Sequence, residues 1–196
     1  MKTFIIGGGS SVTPEVYKAI QEHREGNEVI AVNNAWRYIH PDVLVFIDRV
    51  LFEDTDSPKR HRIFFPTRKT YSELTCAKYC RFPVDNSENI VFPSSKLDVT
   101  RNTKDGVYFG NKAMTSGIAA LSIALMLGRD DIYLLGYDGG VIDGKSHHHH
   151  KYLFNRYEIA NSEYKEFENY AGKITNCSPR SKIETFKKKD FREIFR

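Results

Sequence analysis

The sequence predicts an α/β protein built on a doubly wound, mainly parallel sheet, and three observations carry that prediction. Short apolar runs alternate with helix-patterned segments along most of the chain, as repeated strand–helix–strand crossovers require. The stretch from Asn111 to Gly140 condenses the pattern into one unit: an apolar small-residue helix, a tight turn and a near-continuous apolar strand. The predicted strands end at Gly7, Asn33, Asp48, Asp138 and Cys177, and in an open α/β sheet the carboxyl ends of the strands are where ligands sit. Together these predict one Rossmann-like α/β domain over residues 1–196, with its candidate ligand-binding residues along one rim of the sheet.

Taken in order, Thr3–Ile6 is the first strand and runs into Gly7-Gly8-Gly9-Ser10-Ser11. Thr13 is a good N-cap and Pro14 a good first helical residue, so a helix is expected from Pro14 to about Arg24. Glu28–Val32 is the second strand and Asp42–Asp48 the third. Short strands are expected at Arg62–Phe65 and Asn89–Phe92, each ending at a proline, with a helix over Lys69–Arg81 between them. Residues 94–110 are polar and read as a long loop over the carboxyl edge, of the kind that serves as a lid. Ser116–Leu127 is the small-residue helix, capped by Thr115 or Ser116 and ended by Gly128, and Ile132–Leu135 is the buried strand after it. A helix from Arg156 to Ala171 places Tyr157, Tyr164, Phe167 and Tyr170 in a core stripe. Lys173–Cys177 is the last strand, and residues 183–196 read as a basic amphipathic helix with Phe186, Phe191, Ile194 and Phe195 inward.

Composition narrows the class. With 196 residues, 40% hydrophobic and 28% charged, the chain can bury a core without staples. Its three cysteines, Cys76, Cys80 and Cys177, form no CxxC pair and no even set, so no disulfide framework is expected and a reducing, cytoplasmic setting fits. Met-Lys followed by a strand lacks a signal-peptide core, and no apolar run reaches the roughly 18 residues of a membrane helix. A net charge of +4 is too mild to specify nucleic acid but suits an anionic small ligand. The basic tail leaves open a peripheral contact with a membrane or other anionic partner, and self-association is also left open.

The candidate chemistry lies at the strand ends. A glycine loop between a strand and a helix N-terminus can hold a phosphate on backbone N–H groups, though this one is neither GxGxxG nor Gly-Lys-Ser/Thr. Asn33 and Asn34 offer donors and acceptors suited to a base edge or sugar hydroxyls, and equally suit a turn. Asp48 and Asp138 stand at strand ends, where a carboxylate serves as ligand contact or as Asx turn. The run His147, His148, His149 and His150 lies inside a patterned chain, unlike a terminal tag. A zinc site needs about four converging ligands, and no other convincing member is visible. A general base and a solvated loop remain as readings.

Several of these pieces, in this order, resemble the bacterial lipooligosaccharide sialyltransferases and the wider sialyltransferase-like group of bacterial and phage proteins. They are the strand before GGGSS, AVNN at the second strand end, NKAMTSG before the helix, LGRDDIYLLGYD, the histidine loop and ITNCSPRS. The resemblance implies a metal-independent glycosyltransferase with a CMP-sugar-like donor, no cofactor and a histidine base. Residue by residue, it implies that Gly8, Gly9 and Ser10 approach the phosphate and that Asn33 contacts the donor. Thr115 and Ser116, beside Gly117, would meet the sugar carboxylate, and Asp138 would line the nucleotide pocket. Ser178 and Ser181 would lie near base or ribose, and one of His147 to His150 would deprotonate the acceptor hydroxyl. Ala113 stands where that group has an arginine and Gly140 where it has a phosphate-binding tyrosine. Those two departures favour an alternative, a non-catalytic nucleotide-binding accessory protein of the same fold. A second alternative is a metal-dependent enzyme using Asp48, Asp138 and Asp143 with the histidines.

Overall fold

The sheet's first strand forms where Phe4, Ile5 and Ile6 send side chains alternately to two apolar layers, and the second, third and seventh strands share that division. In the computed structural model, which describes residues 1–45, 62–64, 98–103, 106–108, 115–145 and 157–195, the strands are β1 (Thr3–Ile6), β2 (Glu28–Val32), β3 (Val43–Val45) and β4 (Arg62–Phe64), followed by β5 (Asp98–Thr103), β6 (Gly106–Tyr108), β7 (Ile132–Leu135), β8 (Ile174–Asn176) and β9 (Lys187–Lys188). Seven of them form one sheet in the order β4-β3-β2-β1-β7-β8-β9, with every neighbouring pair parallel. β5 and β6 pair antiparallel as a separate two-stranded sheet.

Among the described residues three α-helices flank the sheet: α1 (Pro14–Glu22), α2 (Ser116–Met126) and α3 (Tyr157–Tyr164). Phe4, Ile6, Val29, Ala31 and Leu44 pack on the side that receives Val16, Tyr17 and Ile20 of α1. Ile5, Ile30, Val43, Ile132 and Leu134 face the other way, against α2 and against Tyr164 and Phe167. Helices on both faces of a parallel sheet make the fold doubly wound. The side chains of α2 from Ile118 to Ala124 are buried almost without interruption, which its alanines and Ser122 permit by letting the helix lie close on the strands.

The local signals act as expected in most places. Pro14 opens α1, although Thr13 at its N-cap makes no side-chain capping bond. The Ile118 N–H donates to Thr115 Oγ1 at 3.3 Å, so Thr115 caps α2. At the far end the N–H groups of Gly128 and Arg129 donate to the carbonyls of Leu125 and Ala124, closing the helix before β7.

Three segments differ from the sequence reading. The described residues 183–195 do not form one amphipathic α-helix. Lys187–Lys188 instead add β9 to the free edge of β8, and a single 3-10 turn follows at Phe191–Glu193. Asp190 accepts from the Arg192 N–H and restarts the chain with a capping box in the middle of the supposed helix, while β8 offers backbone partners a helix would leave unmet. Phe186 and Ile194 are nonetheless buried, as the apolar spacing required. The helix expected over 156–171 is α-helical only to Tyr164 and continues as 3-10 turns over Lys165–Lys173. Inside the 94–110 stretch, the described residues pair as β5 and β6, a hairpin consistent with the β-branched residues of DVTRNT and the Asp-Gly that follows. The strand at 89–92 and the helix at 69–81 lie outside the described residues.

One ion pair ties the amino-terminal edge of the sheet together. Arg129, in the turn before β7, donates to both carboxylate oxygens of Glu28 at the start of β2, at 2.8 and 2.9 Å, and Thr3 Oγ1 of the intervening strand donates to Glu28 at 3.3 Å. The Glu28 side chain is 9% exposed and that of Arg129 25% exposed, so loss of the arginine leaves a nearly buried carboxylate without its cation. Arg129→Met is expected to lower the unfolding free energy by about 2 kcal/mol, read from urea denaturation; a change inside about 0.5 kcal/mol would make the pair ornamental.

Candidate functional site

The strand order reverses between β1 and β7: the chain steps outward from β1 through β2, β3 and β4, then returns to β7 on β1's other side and steps outward again. Loops leaving the two strands diverge to opposite faces, and the crevice between their carboxyl ends is the place where such sheets bind ligands. The loop after β1, Gly7 to Val12, and the loop after β7, Gly136 to Gly140, meet there.

They meet on Asp138. Asp138 is 3% exposed, and its carboxylate accepts from the Ser11 N–H at 2.9 Å, from Ser10 Oγ at 3.2 Å and from Ser11 Oγ. Ser11 Oγ has one proton, given to Asp138, so the 2.6 Å contact with Ser178 Oγ makes Ser178 the donor. One carboxylate thus joins the exits of β1, β7 and β8. Backbone bonds continue the alignment, the Gly7 N–H donating to Leu135 O at 2.7 Å and the Gly9 N–H to Gly136 O at 2.9 Å. A Cβ on Gly9 would stand 2.4 Å from Gly136 O and 2.7 Å from Asp138 Cγ, which explains glycine there by approach to the neighbouring loop. Gly136 itself has φ +71, a left-handed turn that swings Tyr137 inward and Asp138 toward the serines.

The second strand end carries Asn33 and Asn34, which begin a 3-10 turn over Asn33–Arg37. Ile6 pairs with Ala31, so these asparagines lie level with the glycine loop. Asn33 has φ 51, tolerable because its short amide side chain suits left-handed backbone. The Oδ1 atoms of both asparagines and Nε1 of Trp36 are buried and have no hydrogen-bond partner among the described residues. Two acceptors and a donor are therefore left unmet at one rim position, whereas buried polar groups are ordinarily paired.

The amino end of α2 is clasped from below. Tyr137 donates to Gly117 O at 2.9 Å, and Tyr164 Oη lies 3.1 Å from where a Cβ at Gly117 would stand. Burial pushes the phenols of Tyr137 and Tyr164 well above their ordinary range, so both stay neutral donors. Cys177, past the end of β8, is pushed up to about 12, chiefly by burial, and is no thiolate nucleophile near neutral pH.

Of the residues singled out in the sequence, Gly9, Ser10, Asp138 and Ser178 come together at the switch point, with Gly8 partly exposed at the loop and Asn33 and Asn34 on the adjoining rim. Thr115, Ser116 and Gly117 stand at the start of α2. Ser181 is spent internally: it donates to Tyr137 O at 2.6 Å and accepts from Asn176 Nδ2 and the Ile183 N–H. Asp143 is held by Arg180 at 2.6 and 2.7 Å, with that guanidinium keeping its carboxyl below the usual range. Asp48 and His147 to His150 lie outside the described residues. Among the described residues no group of three or more His, Cys, Asp or Glu side chains is placed to hold a metal ion, and no helix is long and apolar enough to cross a membrane.

Sequence reasoning passed over the side chains of Ser11, Asn176 and Trp36. Asn176 was the most visible, a polar residue at a strand end and 0% exposed in the fold. The importance of Ser11 rests on partners far away in sequence and carries no local sign.

The fold defines a Rossmann-like α/β protein with its crevice at a topological switch point. It is similar to a solved structure of the MAf glycosyltransferase from Magnetospirillum magneticum AMB-1, with a TM-score of 0.59 and 14% identity over 97% of this chain, and the chain spans 34% of that protein. No protein-family model matches the sequence, and no curated protein matches it.

Two substitutions test the clasp. Gly9→Ala is expected to cost about 2–3 kcal/mol through the clash with the β7 loop, whereas Gly172→Ala, where a Cβ meets nothing within 4 Å, should stay within about 0.5 kcal/mol. Asp138→Asn replaces one acceptor oxygen by a donor facing serine donors, and should cost about 2 kcal/mol in the same denaturation assay; wild-type stability in that variant would refute a structural role for the carboxylate.

Proposed function

We propose that this chain is a metal-independent, sialyltransferase-like glycosyltransferase that takes a CMP-sugar-like donor and passes its sugar to an acceptor hydroxyl. The observation that carries the reading is the pair of unmet acceptors on Asn33 and Asn34 beside the β1–β7 crevice. A nucleoside offers what they lack, namely hydroxyl and amino donors, at the rim where a doubly wound sheet receives nucleotides. The similarity of fold to a glycosyltransferase structure and the sequence resemblance to sialyltransferases agree with it. In this reading Gly8 and Ser10 border the phosphate, Thr115 and Ser116 meet the sugar, and one histidine of His147 to His150 takes the acceptor proton as the nucleotide leaves.

A second reading, nucleotide binding without transfer, draws support from Asp138. Its carboxylate is wholly engaged with Ser10 and Ser11, so it acts as a clasp and leaves no free carboxylate for chemistry at that strand end.

Thermal denaturation with a panel of nucleotides and nucleotide sugars, with and without chelator, tests both. A ligand at a hundred times its dissociation constant adds about 2.7 kcal/mol, which raises the melting temperature of a chain this long by several degrees. Stabilisation by cytidine nucleotides, unaffected by chelator, is expected. Asn33→Gly, which keeps the left-handed backbone, should abolish that shift while leaving the unliganded protein's melting temperature nearly unchanged. No response to any nucleotide would end the reading, and a shift lost with chelator would move it to metal-dependent chemistry. Binding with no sugar transfer or donor hydrolysis would favour the second reading.

A further inference from the structure

The turn after β8 carries an exposed lysine, Lys182, at the carboxyl rim of the sheet. Its backbone is fixed by a buried polar network: Asn176 donates to Tyr137 O at 3.0 Å and to Ser181 Oγ at 3.0 Å, Asn176 Oδ1 accepts from the Ser178 N–H, and Ser181 Oγ reaches both Tyr137 O and the Ile183 N–H. Asn176, Ser178 and Ser181 are each at most 4% exposed. Such a network, fully satisfied, holds a turn rigidly. The turn carries Arg180 and Lys182. Arg180 is occupied by Asp143, but Lys182 Nζ has no hydrogen-bond or ion-pair partner among the described residues.

Lys182 is also placed. Its N–H donates to the carbonyl of Asp138 at 2.8 Å, one residue's backbone away from the carboxylate that holds Ser10 and Ser11. Its side chain lies across Gly140: a Cβ there would be 2.8 Å from Lys182 Cδ and 3.3 Å from Nζ. Gly140 therefore leaves room that the lysine stem uses, and the ammonium ends at the carboxyl rim between β7 and β8.

We propose that Lys182 binds the phosphate of the ligand that enters this crevice. The proposal rests on the nucleotide reading for the rest of the ligand, but the phosphate site is separable from it. An ammonium on a fixed turn at the carboxyl rim, beside the loop after β7, supplies a point charge to a phosphate whose nucleoside end is met by Asn33 and Asn34. In a transfer reaction the same cation would offset the charge that gathers on the leaving phosphate.

Calorimetric titration of the whole chain with CMP, cytidine and inorganic pyrophosphate, in wild type, Lys182→Met and Lys187→Met, tests it. Lys187 is an exposed lysine of β9 and removes the same charge elsewhere. Lys182→Met is expected to weaken CMP and pyrophosphate about tenfold or more and to leave cytidine unchanged, with Lys187→Met changing none by more than about twofold. Equal losses in both variants, or no loss in Lys182→Met, would overturn the proposal while the nucleotide reading stands. Pyrophosphate binding that depends on Lys182, without binding of CMP or cytidine, would keep the cation site and remove the nucleotide reading. Binding of none of the three by the wild type would remove both. Lys182→Arg, which keeps the charge, should retain most of the affinity for pyrophosphate, and equal loss in it would mark a packing effect.

Discussion

The carboxylate of Asp138 is the contact on which the carboxyl rim depends. A buried charge is tolerated only when its lone pairs are met, and here a backbone N–H and two serine hydroxyls meet them. Those donors come from the loop after β1, and a further serine from the end of β8 completes the chain of bonds. The three strand exits at the switch point are thereby held in one geometry. The glycine at position 9 follows from the same contact, since the loops approach too closely for any side chain.

The two edges of the sheet do different work. At the amino edge the polar groups are matched to each other, with Arg129, Glu28 and Thr3 linking three adjacent strands. At the carboxyl edge some have no partner among the described residues: the side-chain carbonyls of Asn33 and Asn34, the Trp36 indole N–H and the Lys182 ammonium. Satisfied groups stabilise, and unsatisfied ones beside a crevice are what a ligand can meet. The asymmetry follows from the parallel arrangement, which sends every strand out toward the same rim.

Much of this fold was readable in the chain. Pro14 and Thr115 are start signals whose physics is local, and the apolar runs of β1, β2 and β7 have no other place to go than a two-sided core. The tail was misread because Phe186, Phe191, Ile194 and Phe195 satisfy helical spacing while also suiting a strand and a turn; the vacant edge of β8 decided the matter, and no short window of sequence contains it. The site was legible at Asp138, Ser10 and Asn33 as residue types at strand ends. Which of them bond to each other was not, because Ser11 and Ser178 lie 127 and 167 residues from their partners in the clasp. Glycine in the first loop is the instructive case: the residue type suggested a phosphate, while the fold shows at Gly9 a neighbouring loop that needs the space.

The central position of β1 has a consequence for how the chain reaches this state. Thr3 pairs with Glu28 on one side and with Ile132 on the other. The first half of the sheet can therefore zip up early, from contacts short in sequence, but β1 keeps one bare edge until the stretch around Ile132 has been synthesised and delivered. Closing so long a loop is slow, and the exposed edge meanwhile resembles a strand awaiting any partner. The strand most deeply buried in the finished molecule is the one most open to wrong pairing while it is being made.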